Sequence, residues 1–316
     1  MDLNRKKIVF GLLAVVAAGT VGAASYKVLH HGQSAAQEQQ VKEEVLQLEQ
    51  KKDADGIIRE IPQPYFIEKQ AGYRYRKPEE ITYPSKITGT NRHAMVFLPA
   101  DYKEEKKYPV LYLLHGLTGS HRTWRNKSAD VILQNLHYFE QVPEMIVVCP
   151  NSVVNEKEDT EDLSLSETIQ AYDLTGPDLV ENLMPYINSH YPVKAGREYT
   201  AVAGNSMGGR NALYTAFNYS ELFGYVGAFS SASVVPDETY GHVNPLLKEL
   251  VPPTEKFCLL MLSVGRSDDV CGDVTYKLHD IMKEKGIEHL FYDTEGGHED
   301  TVWQNALYNF AKKLFV

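Results

Sequence analysis

The chain has 316 residues, 43% of them hydrophobic and 23% charged, a composition that fits a globular protein with a sizeable core and excludes a disordered chain. Its formal net charge of −10, with no basic cluster beyond the N-terminus, argues against nucleic-acid binding and speaks mainly for solubility. The length allows one large α/β domain or two small ones.

Arg5, Lys6 and Lys7 form a positive start, and Ile8 to Ser25 is an almost unbroken run of 18 apolar or small residues. That pattern fits a secretory signal peptide, or an uncleaved anchor just long enough to span a bilayer. Residues 1–30 are therefore expected to direct the rest of the chain out of the cytoplasm. They would touch a membrane only if uncleaved. No cysteine follows the run, which excludes a lipoprotein anchor.

Residues 31–64 are polar, with Val41, Val45 and Leu48 at helical spacing, and predict a short solvated helix or stalk. A catalytic domain is expected over 65–316. It opens with two strands joined by a turn at Gly89–Asn91. A regular alternation follows. Strands are predicted at Val110–Leu114, Met145–Cys149, Tyr199–Ala203, Tyr225–Ser230, Phe257–Val264 and His289–Asp293. Helices are predicted at Ala129–Phe139, Thr168–His190 (interrupted near Gly176–Pro177), Met207–Phe217, Asp273–Lys285 and Glu299–Leu314. Buried strands alternating with amphipathic helices predict an α/β fold with a mostly parallel sheet covered on both faces. Functional groups then belong at the carboxyl ends of the strands.

Gly204-Asn205-Ser206-Met207-Gly208 is a G-x-S-x-G pentapeptide between a predicted strand and a predicted helix. Such an elbow holds the serine in a strained backbone conformation, and its glycines let strand, turn and helix pack closely. A serine hydroxyl needs a base to take its proton, and an acid to orient that base, in the order serine, acid, histidine. His298 lies between the last strand and the last helix, whereas His279 and His289 fall inside elements. Asp268 and Asp269 both follow the strand ending at Val264; Asp268 is preferred, and the other reads as a helix cap or solvated charge. At the end of the first central strand, His115-Gly116-Leu117 places the Leu117 N–H where, with the Met207 N–H, it can meet a developing oxyanion. His115 itself reads as a residue that orients this loop.

Three cysteines make no disulfide framework, and the scattered histidines give no metal-ligand spacing, so no metal is expected. Trp124, Tyr102 and Tyr172 are candidates to line an aromatic or sugar site. The acidic stretch Asn155–Glu167 reads as a solvated loop or a lid.

The segments "ITGTNRHAMVFLPADYKEEKKYPVLYLLHGLTGSHRTW", "GNSMGG", "SVGRSDD" and "GGHEDTVWQNALYNFAKKLF" resemble the esterase-D-type branch of the α/β-hydrolases. More narrowly, they are similar to carbohydrate esterase family one, which contains feruloyl and acetylxylan esterases. The resemblance covers residues 80–316. It implies an α/β-hydrolase fold and an acyl-serine mechanism without cofactor, acting on a small or polysaccharide-linked ester. It carries the nucleophile to Ser206, the base to His298, the acid to Asp268 and the oxyanion donors to Leu117 and Met207. Asn205 departs from the hydrophobic residue or histidine more usual before the nucleophile. S-formylglutathione hydrolases share the fold but work in the cytoplasm, which the N-terminal segment disfavours. An acyltransferase on the same residues, or a non-catalytic binding scaffold, are the competing readings.

Overall fold

The computed structural model describes residues 35–60, 64–237 and 245–316. The expected signal peptide or anchor lies outside these residues. Among the described residues no helix is long and apolar enough to cross a membrane.

Eight strands form one sheet: β1 (Glu79–Pro84), β2 (Asn91–Phe97), β3 (Val110–Leu114), β4 (Ile146–Pro150), β5 (Thr200–Asn205), β6 (Tyr225–Phe229), β7 (Leu259–Gly265) and β8 (Leu290–Thr294). Their spatial order is β1-β2-β4-β3-β5-β6-β7-β8. The β1–β2 and β2–β4 pairs are antiparallel, and every pair from β4 through β8 is parallel. Every residue of β3, β4 and β6 is buried, as expected for strands covered on both faces. Successive side chains of β3 point to opposite sides. Leu111 and Leu113 join one apolar core, and Val110, Tyr112 and Leu114 join the other. This is the α/β-hydrolase architecture expected from the alternation of elements.

The helices are α1 (Ala35–Glu49), α2 (Pro64–Ile67), α3 (Thr123–Asn126), α4 (Ala129–Glu140), α5 (Leu165–Asp173), α6 (Thr175–Asp178), α7 (Met184–His190), α8 (Met207–Asn218), α9 (Gly272–Glu284) and α10 (Asp300–Ala311). A π-helical turn, Leu179–Leu183, joins α6 to α7. The single interrupted helix expected over 168–190 thus begins at Leu165, inside the stretch read as loop. Ser164 and Glu167 explain the earlier start: the Ser164 hydroxyl accepts from the Glu167 N–H, and the Glu167 carboxylate accepts from the Ser164 N–H.

The stalk expected over 31–64 is corrected by the structure. α1 forms as a helix but packs on α4, and its Val41 and Leu48 are buried in the same core as Leu111. Downstream, Ile57 and Ile58 are also buried. The Ile58 N–H donates to Asn309 Oδ1 at 2.9 Å, and its carbonyl accepts from Asn309 Nδ2 at 2.9 Å. Three apolar residues at helical spacing found a surface to cover, so residues 35–60 are part of the folded domain and not a spacer.

Candidate active site

Chain order runs from β3 outward to β4, then returns to the other side of β3 with β5. The carboxyl ends of β3 and β5 therefore flank the point where the connections change direction, where an open sheet leaves a crevice. β3 delivers His115–Leu117 there, and β5 delivers Ser206.

Ser206 adopts φ 56° and ψ −122°, a conformation costly for any residue with a Cβ. The close approach that enforces it is visible at Gly208. A Cβ there would stand 2.4 Å from the Leu114 carbonyl oxygen, and one on Gly204 would stand 2.5 Å from the Gly208 carbonyl carbon. The turn is pinned by the Ser206 N–H donating to the Phe229 carbonyl at 2.9 Å, and by the Arg210 and Ala232 N–H groups donating to the Ser206 carbonyl.

The other two groups come from the loops after β7 and β8, which meet where Gly265 passes Gly296. A Cβ on Gly265 would stand 2.4 Å from the Gly296 carbonyl oxygen. This contact sets Asp268 beside His298. The His298 Nδ1–H donates to Asp268 Oδ2 at 3.0 Å, and the Ser206 hydroxyl donates to His298 Nε2 at 3.0 Å. A carboxylate only accepts, so the proton sits on Nδ1 and the Nε2 lone pair faces the serine. Asp268 Oδ1 also accepts from the Cys271 and Val270 N–H groups at 2.8 and 3.0 Å. Burial by itself raises the Asp268 pKa, but hydrogen bonds from His298 and from the Cys271 amide outweigh it, and the carboxyl lies below its ordinary range. Asp269 is exposed and makes none of these contacts. The structure thus brings Ser206, His298 and Asp268 together and leaves Asp269 outside.

Leu117 and Met207 line the same cleft as Ser206 and His298, and their backbone N–H groups have no protein partner among the described residues. His115 is buried. Its Nε2 accepts from the Ser152 N–H at 2.8 Å, and its Nδ1–H donates to the Gly116 carbonyl at 2.8 Å. Desolvation pushes its pKa down to about 4, so the imidazole is neutral. It orients the loop, as expected.

The cleft has a volume of about 580 Å³. Its lining includes the apolar Leu165, Ile169, Ala232 and Val270, and also Thr123, Lys127 and Trp303. Trp303 meets His298 edge to face at 5.0 Å, and the Lys127 ammonium, paired with Asp300, lies 4.3 Å from the Trp303 ring centre.

The expected role of Trp124 in substrate binding is corrected. It is 1% exposed, packs edge to face on Phe229, and donates from Nε1 to the Leu114 carbonyl at 2.9 Å. It is a core residue under the loop. Tyr102 stacks on Tyr108 away from the cleft. Tyr172 is buried, and its hydroxyl donates to the Gly116 carbonyl at 2.9 Å. Sequence reasoning missed Trp303, although it lies five residues after His298, in the first turns of the helix that the base loop leads into. It also missed Lys127, whose charge gives no sign of a cleft position. Of the proposed lid, only its end reaches the cleft, through Leu165.

Comparison with known proteins agrees with this geometry. The Esterase family model matches residues 85–314. A CE1 ferulic acid esterase from the anaerobic fungus Anaeromyces mucronatus, whose structure is also known in complex with ferulic acid, superposes with a TM-score of 0.73 at 33% identity in the unliganded form, covering 80% of this chain and 96% of that one. An endo-1,4-beta-xylanase/feruloyl esterase from Xylanibacter ruminicola is 28% identical over 77% of this chain, which spans about a third (33%) of that relative's length. An acetyl esterase from Caldicellulosiruptor saccharolyticus is 24% identical, covering 73% of this chain and 95% of the relative. The chain therefore belongs to the Esterase family, as a carboxylic ester hydrolase of the α/β-hydrolase fold similar to the family-one carbohydrate esterases.

Proposed function

We propose that this chain is a serine esterase that cleaves feruloyl or acetyl esters on plant polysaccharide through an acyl-enzyme on Ser206. The observation that carries the reading is the unbroken line of hydrogen bonds from Asp268 through His298 to Ser206, opening into a cleft. His298 Nε2 takes the Ser206 proton as Oγ bonds to the ester carbonyl carbon. The carbonyl oxygen becomes an oxyanion held by the Leu117 and Met207 N–H groups. The C–O bond to the alcohol then breaks, and His298 returns the proton to the departing oxygen. Water enters and gives a proton to His298 as its oxygen bonds to the acyl carbon; the acyl–Oγ bond then breaks, His298 returns the proton to Ser206 Oγ, and the acid is released. The negative charge of Asp268 stabilises the imidazolium in both halves.

Substrate class rests on the named activities of the relatives, and the cleft supports it. Leu165, Ile169, Ala232 and Val270 give the lining an apolar part that suits an aromatic acyl group. The leaving oxygen must lie at His298, and Trp303 stands beside that ring. The N-terminal run fits a working place outside the cytoplasm, secreted or held at the membrane.

The test uses a fragment beginning at Gln33, which keeps α1. Wild type and Ser206→Ala are compared on p-nitrophenyl acetate, p-nitrophenyl butyrate, methyl ferulate and acetylated xylan. Serine-dependent preference for methyl ferulate or acetylated xylan is expected. Activity on the nitrophenyl esters alone removes the polysaccharide assignment, and undiminished activity of Ser206→Ala removes the nucleophile.

A further inference from the structure

The Gly116–Leu117 peptide is held from one side only. Its carbonyl oxygen accepts three hydrogen bonds: from His115 Nδ1–H at 2.8 Å, from the Tyr172 hydroxyl at 2.9 Å and from the Gly119 N–H at 3.2 Å. Peptide planes are rigid, and there is no cis bond among the described residues. In a trans peptide the C=O and the following N–H point in opposite directions. Fixing the Gly116 oxygen toward His115 and Tyr172 therefore turns the Leu117 N–H away from them, where no protein acceptor among the described residues takes it.

We propose that Tyr172 and His115 are positioning residues that set the oxyanion donor, by holding the Gly116 carbonyl so that the Leu117 N–H faces the reacting carbonyl oxygen. This rests on the reading of Ser206 as nucleophile.

Each of the two side chains is itself locked. The Ser152 N–H fills Nε2 of His115, which leaves the ring proton on Nδ1, directed at Gly116. Tyr172 belongs to α5, whose end is tied to α8: Asn211 Nδ2 donates to the Tyr172 carbonyl at 2.8 Å, and Arg210 pairs with Asp173 at 2.7 Å. Because α8 also begins at Met207, the helix that supplies one oxyanion donor indirectly braces the loop that supplies the other. Without the Tyr172 bond, a peptide next to the residue Thr118, itself at φ 62°, has fewer restraints on its orientation. A donor that must reorganise during reaction stabilises the oxyanion less than one already aimed. The tyrosine hydroxyl touches no reacting atom in this scheme; it acts through Leu117.

The experiment compares wild type, Tyr172→Phe and Ser206→Ala in the fragment from Gln33, with p-nitrophenyl acetate as substrate. An alkyl trifluoromethyl ketone, which adds to serine as a tetrahedral oxyanion, serves as the transition-state mimic. Deleting an oxyanion donor outright costs 10²–10³-fold, so misaiming one is expected to lower kcat by about tenfold. KM should stay within twofold, and the ketone should bind weaker by the same factor as kcat. A merely structural loss would lower the folded fraction while leaving ketone affinity, measured on the folded protein, where it was. If Tyr172→Phe does not accumulate, Tyr172→Leu carries the same comparison. Wild-type kcat and ketone affinity in the tyrosine variant, with Ser206→Ala inactive, would overturn the positioning role alone. Activity retained in Ser206→Ala would overturn the nucleophile, and the positioning role with it.

Discussion

Gly208 passes Leu114 so closely that a single added methyl would stand 2.4 Å from the Leu114 carbonyl oxygen. The obstacle is backbone on both sides, so neither partner can yield without moving β3 or α8. Gly208→Ala should therefore cost several kcal/mol, comparable to overpacking in a core, and lower the melting temperature. Ser206→Ala, which removes an oxygen and relaxes nothing, should melt within a degree or two of wild type. Thermal unfolding of both variants beside their activity separates the architecture of the turn from the chemistry of its serine. A Gly208→Ala protein as stable as wild type would contradict the close approach.

Replacing Asp268 by asparagine keeps the shape of the group but removes its charge, and the new amide no longer fixes the proton on His298 Nδ1. On the pattern of other serine hydrolases, kcat should fall by about 10⁴-fold with the fold intact. Asp269→Asn should change kcat less than twofold. Steady-state kinetics on p-nitrophenyl acetate decide this, and equal losses in the two variants would count against the assignment.

Two buried groups give stability a pH dependence of the same sign in different windows. His115 has a folded pKa depressed by desolvation to about 4, so the unfolded chain binds its proton first as pH falls. Stability should decline between about pH 6.5 and pH 4, by of order 3 kcal/mol if the group stays fully buried. Asp268 also has a depressed folded pKa, despite the opposing effect of burial, because of its bonds from His298 and the Cys271 amide. Its contribution is present above the unfolded value and is lost only as pH falls below about 4, through the folded one. Urea midpoints measured from pH 7.5 to pH 3.5 should therefore flatten over the upper window in His115→Gln and over the lower one in Asp268→Asn. Parallel curves for wild type and His115→Gln would refute the buried neutral imidazole.

The two tryptophans should separate cleanly. Trp124→Ala removes a ring buried against Phe229 and should cost about 3–5 kcal/mol of stability. Trp303→Ala changes the cleft wall beside His298 and should raise KM for methyl ferulate several-fold, in addition to a stability cost, since the ring is also largely buried. Michaelis curves on both variants, beside urea titration, check this; a raised KM in Trp124→Ala and an unchanged one in Trp303→Ala would restore Trp124 to the site.

Docking of α1 makes residues 35–60 part of the domain. A fragment beginning at Tyr65 exposes the surface that Val41, Leu48, Ile57 and Ile58 cover, and strands the amide groups of Asn305 and Asn309 that bond Ile58. It should melt well below the fragment from Gln33 or aggregate. Leu48→Ala in the longer fragment should cost about 2–5 kcal/mol. Equal melting temperatures for the two fragments would show that the docking contributes nothing.

Local chemistry was legible wherever it repeated at short range. The alternation of buried strands and amphipathic helices gives β3 as Val110–Leu114 and α8 from Met207, because these patterns depend only on neighbours a few residues away. Glycine spacing around Ser206 announces a tight turn for the same reason, and the order of Ser206, Asp268 and His298 places each at a strand end. Tertiary structure alone decided what lies across the cleft. Trp124 and Trp303 are chemically identical in the sequence. One faces the core because α3 lies over Phe229, and the other faces the cleft because α10 starts beside the base loop. Asp268 and Asp269 are adjacent and equally charged, and only the crossing of Gly265 with Gly296 gives His298 to the first. The same holds for α1, whose apolar stripe predicts a helix but cannot say whether a partner surface waits for it. Periodicity is a property of the chain; proximity between residues 30 or 92 positions apart, as in Asp268–His298 and Ser206–His298, is a property of the packed sheet.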